Sequence, residues 1–139
     1  MTVQLSQHFH LSEFVRSDTA ARMGIYNVPP PEVIRRLHML ALRVLEPLRR
    51  AVGGPIYVSS GYRSLALNRE IGGAPLSQHT RGEAADIWSR AVDIVDLHSL
   101  VQAVVPEWDQ LYLHRGKGFV HVSYRVGNNR RQVLPDKET

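Results

Sequence analysis

SSGYRSLALNREIGGAPLSQHTRGEAADI, running from Ser59 to Ile87, sets His79 and Asp86 seven positions apart in a stretch that also carries Arg63 and two adjacent glycines. An imidazole and a carboxylate around such turns are the parts of a metal site. A third donor stands downstream, where Phe119-Val120-His121-Val122-Ser123-Tyr124 alternates as a strand does and so points His121 to a defined face. His79, Asp86 and His121 would leave a tetrahedral zinc with one open position.

The donor count separates functions. A structural zinc closes its shell with four protein ligands, often cysteines, while a catalytic one keeps a place for water. The chain has no cysteine, which excludes a thiolate site and a disulfide framework. Two imidazoles and a carboxylate suit Zn2+, and water in the fourth position would have its pKa lowered to about 7, which points to hydrolysis. With seven histidines in the chain, a lone His-x6-Asp spacing carries little weight by itself. His8, His10, His38 and His98 have no carboxylate at comparable spacing in a glycine-bearing turn, and the last two fall in helical patterns where packing or solvation is expected.

SGYRS, LN..IGG, SQHTRGEAADI, WDQLY and FVHVSY follow one another in an order and spacing that covers nearly the whole chain. The set resembles the zinc D-alanyl-D-alanine carboxypeptidase and L-alanyl-D-glutamate endopeptidase family. That family includes phage endolysins, vancomycin-resistance dipeptidases and murein endopeptidases, and it shares its fold with the Hedgehog signalling domain. The short phage-type or prophage-type members are the nearest in pattern, since LSQHFHLSEFVRSDTAARMGIYNVPPPEV also has counterparts there. The resemblance implies peptidoglycan stem peptides as substrates, His79, Asp86 and His121 as the zinc ligands, and Arg63 and Ser77 as substrate contacts. A planar guanidinium suits Arg63 to a carboxylate or a developing oxyanion, both of which it can grip through two parallel hydrogen bonds.

One position departs from the family pattern. An acid is expected at the end of the strand that begins WDQL, and His114 stands there, while Gly118 occupies the place three residues before His121. His114 is then a candidate general acid or base, given an ordinary histidine pKa of about 6.5, or a fourth metal ligand that would close the site. Glu83 and Glu107 are the alternative acids. The same departure leaves open a zinc-bearing module that binds wall peptides without cutting them, and a phage structural protein that keeps the fold alone.

At 139 residues and 43% hydrophobic, the chain can bury one core, so a single domain over residues 1–139 is expected. No run of about 18 apolar residues appears, so no membrane insertion is expected. MTVQLSQHFHLSEF lacks the pattern of a secretory signal, which implies accumulation in the cytoplasm and action at the wall after release. A net charge of +4 favours anionic surroundings. No dense basic run interleaves with aromatics, so nucleic acid is not the expected partner.

The element pattern predicts an α+β fold, with helices packed on a small, largely antiparallel sheet and the cleft on the sheet's exposed face. A short helix capped by Ser12 precedes a long one that starts at the prolines 29–31, is kinked by Pro47 and ends at Gly53-Gly54. Strands are expected at 55–59, 84–88, 109–114, 119–124 and 132–134, and a short helix at 65–71. His79 falls in a loop over 74–82. A helix over 91–104 is expected to bury Val92, Val95, Leu100, Val101 and Val104, and the tail 135–139 to fray.

Overall fold

Alternating side chains divide the sheet into an apolar face and a polar one. Ala85 and Ile87, Val120 and Val122, and Leu111 and Leu113 lie on three neighbouring strands and are almost wholly buried, so they share the core face. Asp86, His121 and Tyr112 alternate with them on the opposite face. The computed structural model describes residues 3–139. Its strands are β1 (Ile56–Ser60), β2 (Ala84–Ser89), β3 (Gln110–His114), β4 (Phe119–Ser123) and β5 (Gln132–Val133). They form one sheet in the order β1-β2-β4-β3-β5, antiparallel except for the β3–β5 pair.

The helices are α1 (Ser12–Val15), α2 (Asp18–Met23), α3 (Pro31–Leu40), α4 (Glu46–Val52), α5 (Leu65–Glu70) and α6 (Ile94–Val104). Val33, Leu37, Leu40, Val44 and Leu48 recur at three- and four-residue steps and are buried in the core, as their spacing predicts. Truncating the fully buried Leu37 to alanine would cost about 2–5 kcal/mol through lost transfer energy and the cavity left behind. The α+β class and the largely antiparallel sheet are as expected from sequence.

Several details differ. Ser12 is the first helical residue of α1 and caps nothing; Leu11 precedes it, and Glu13 accepts from His10 N at 2.7 Å instead. The long helix is interrupted ahead of Pro47. It passes through a π-helical turn at Ala41–Leu45, after which Pro47 falls in the first turn of α4. The wide turn relieves the clash between the proline ring and the carbonyl four residues back. Val95 and Val104 are exposed, and Leu97 and Val101 carry the buried face of α6. That helix covers only one side of the core, so its apolar arc is narrower than its composition implied.

The tail does not fray. Leu134 N donates to Leu111 O and Lys137 N to Leu113 O, both at 2.8 Å, and Arg115 N donates to Lys137 O at 2.7 Å. The residues after β5 therefore continue alongside β3. This contact is carried by backbone groups, which a sequence pattern does not display.

Candidate metal centre

Each of the three donors is delivered by a separate local device. His79 lies in a 3-10 turn, Gln78–Arg81, where a loop was expected. Ser77 Oγ accepts from His79 N at 3.2 Å at the start of this turn, and Gly82, with φ 78°, ends it. Gln78 anchors the turn by donating through Nε2 to Asp109 Oδ2 at 3.0 Å. Asp109 is wholly buried and also accepts from Arg130 N, Nε and Nη2 at 3.0, 2.9 and 2.8 Å. The SQH and WDQ motifs are thus joined through one buried carboxylate.

Asp86 and His121 need no loop. They are directly paired across β2 and β4, and Tyr112 is paired with His121 across β3 and β4. His121 lies between, its ring stacked on Tyr112 at 4.6 Å and 12°.

The donors converge. His79 Nδ1 donates to Gly61 O at 2.7 Å, which leaves the lone pair on Nε2, and Nε2 is 3.2 Å from Asp86 Oδ1. His121 Nδ1 is 2.9 Å from the same oxygen, a hydrogen bond when that nitrogen carries the proton. One ligand atom from each of the three residues lies within 4.8 Å of the others, and all three residues are buried. Donors around a tetrahedral zinc with bonds of about 2.0–2.1 Å sit about 3.3 Å apart, so the observed separations fit that ion. The carbonyl behind His79 supplies the outer contact that fixes a ligating imidazole. Gly61 is essential to it: a Cβ there would lie 2.6 Å from the carbonyl oxygen of Phe14.

The electrostatics favour the ligating forms. Burial opposes charge on Asp86, but His79 and His121 overcome it and hold its carboxyl well below the ordinary aspartate range. Burial pushes His121 down and so toward the neutral ring, against the pull of Asp86.

The group forms the floor of an open cleft of about 820 Å³. Arg63 enters it from the turn after β1. Its backbone N donates to His79 O at 3.1 Å and its Nη2 to Ser77 Oγ at 3.5 Å, yet its Nε is buried without a partner. Burial lowers the Arg63 pKa, against the pull of Asp86 and Tyr112, but leaves the guanidinium charged. Tyr112 is half-buried, and burial together with Asp86 pushes its hydroxyl up to about 12, so it stays protonated.

His114 lines the same cleft but does not join the donor group. It pairs with Phe119, not with His121, so it stands one pleat further along β3. Its Nδ1 accepts from Lys117 N at 3.1 Å, which the tautomer protonated on Nε2 satisfies. Glu83 is held by Arg81 Nε at 2.9 Å, and Glu107 lines a different hollow beside Glu46 and Pro47. Two groups escaped notice in the sequence, Tyr112 and Asp109. Tyr112 was within reach of the hairpin register, because a residue two before His114 on an antiparallel strand falls opposite His121.

A family model described as Peptidase M15 matches residues 7–123. No curated protein matches the chain.

Proposed function

This chain belongs to the peptidase M15 family, and from that membership we propose that it is a zinc-dependent peptidase that cuts peptide bonds in bacterial cell-wall stem peptides. One observation carries the reading: three buried donors from separate segments meet on the floor of an open cleft beside an arginine with an unpartnered buried nitrogen.

His79 Nε2, the Asp86 carboxylate and one nitrogen of His121 would hold the ion, with the Gly61 carbonyl orienting His79. Zinc in this place supplies Lewis acidity toward a carbonyl and lowers the pKa of water. Arg63 offers the cleft a positive fork for a substrate carboxylate or for charge that develops on the attacked oxygen. The Tyr112 ring fixes the plane of His121. Ser77, already engaged with His79 N and Arg63, serves the substrate chiefly by holding those two in place. His114 meets the substrate through the N–H of Nε2, because its other nitrogen is occupied by the hairpin.

A second reading has a specific observation behind it. A zinc-bearing module that binds wall peptides without cutting them is consistent with a histidine where the family pattern expects an acid. Mass spectrometry of defined muropeptides incubated with zinc-loaded and chelator-treated protein separates the two. Chelator-sensitive loss of a defined fragment establishes the peptidase and identifies the bond; bound zinc with intact muropeptides establishes the binder.

A further inference from the structure

The cleft is unevenly charged. Among the described residues Asp86 is its one acidic lining residue, and that carboxylate is committed to His79 and His121. Five lysine and arginine residues line it, of which Arg81 is paired with Glu83 and Arg130 with Asp109. Arg63, Lys117 and Lys137 have no carboxylate within 4.0 Å among the described residues. A concave surface with free cations and no free anion collects anionic ligands.

Lys137 is set there by the clamped tail. Its backbone is bound on both sides, to Leu113 O and Arg115 N. Its neighbours Asp136 and Glu138 turn to Arg115, at 3.2 and 3.6 Å from Nε. Extended backbone alternates its side chains, so Lys137 turns the other way. Its ammonium lies 4.5 Å from the centre of the Tyr112 ring. His121 stacks on that ring and Phe119 meets it edge-on at 6.4 Å, and because β3 lies between β4 and the clamped tail, Lys137 and His121 approach Tyr112 from opposite sides. A cation over a ring keeps N–H donors free for a further acceptor.

Asp86, His121 and Tyr112 form one row across β2, β4 and β3. Arg63 enters from the β1 side of the row, and Lys137 closes the β3 side. The two strand spacings from Asp86 to Tyr112 span about 10 Å, roughly the length of three extended residues. Resting on the peptidase reading above, we propose that the cleft takes a stem peptide bearing a carboxylate on each side of the scissile bond, one held by Arg63 and the other by Lys137. The enzyme would then discriminate between free and amidated stem peptides.

Three synthetic stem peptides test this: one with both carboxylates free, and two with one or the other amidated. Their affinities are measured by calorimetry on chelator-treated protein, and their cleavage on the zinc-loaded protein. Amidation on the Lys137 side is expected to weaken binding roughly three- to fivefold, the size of a partly exposed ion pair. Lys137→Gln should cause the same loss on the dicarboxylate and no further loss on that amide, and Lys137→Arg should restore binding. Cleavage with equal affinity for all three peptides overturns the inference and leaves the peptidase reading intact. Lys137-dependent discrimination in binding without zinc-dependent cleavage supports the inference and overturns that reading. No binding of any peptide overturns the inference, and no cleavage besides overturns the peptidase reading with it.

Discussion

Two buried carboxylates in this molecule sit against histidine, one under the N-terminal segment and one in the cleft. Glu46 accepts from Ser6 Oγ at 2.6 Å and from His8 N at 2.8 Å, and its other oxygen is 2.7 Å from His8 Nδ1. All its partners come from one short segment, and a single imidazole reaches it. Asp86 instead shares one oxygen between two imidazoles that arrive from a turn and a strand. Proximity of acid and histidine is therefore common to a fastening and a metal site. Convergence from separate segments, with an open cleft beside it, is what distinguishes the second.

The largest effect should come from removing a convergent donor. His79→Ala is expected to abolish zinc binding and turnover, whereas His8→Ala should leave both intact; elemental analysis and muropeptide cleavage read the pair. Retained zinc and activity in His79→Ala would dissolve the distinction between the two clusters. Arg63→Lys should keep zinc and lose roughly a hundredfold in kcat, the order seen when a preorganised donor to a developing oxyanion is removed.

The Glu46 cluster predicts an effect on stability alone. Burial raises its carboxyl, but hydrogen bonds from Ser6 and His8 outweigh this and lower it below its ordinary value of 4.5. A depressed carboxyl stabilises the fold at pH above that ordinary value, and the contribution is lost as pH falls through the lower folded value. Glu46→Gln should cost about 1–3 kcal/mol near neutral pH and flatten the acid limb of the denaturation midpoint against pH, with zinc content unchanged. A variant as acid-sensitive as the parent would contradict this. The smallest effect is at His114. His114→Gln, which keeps an N–H donor, should retain most turnover, and His114→Ala should lose roughly tenfold; a loss of a thousandfold in both would make His114 a proton-transfer group instead.

Of the three candidate donors, Asp86 and His121 were legible through strand alternation, and the set as a whole through the resemblance of its motifs to a known family. Alternation assigns Asp86 away from Ala85 and Ile87, and His121 away from Val120 and Val122, and both assignments agree with the sheet. His79 could be named but not its turn, since the 3-10 geometry depends on Gln78 reaching Asp109, which is 31 residues away. The attachment of Lys137 was illegible for a related reason. Pro135 to Thr139 has no apolar period, and backbone hydrogen bonds to β3 leave no mark in side-chain pattern. The π-helical turn at Ala41–Leu45 was hidden as well, because it preserves the buried stripe on either side of it.

The seam between the tail and β3 has a consequence for handling the protein. It supplies backbone partners along one margin of the sheet, at Leu111, Leu113 and Arg115. A proteolytic cut after Leu134 would strip the partners of Leu113 and Arg115 and present a ready template for strand exchange between molecules. A preparation trimmed at that point should gain a tendency to self-associate at the moment it loses Lys137, so its colloidal behaviour would report on the integrity of the cleft before any assay is run.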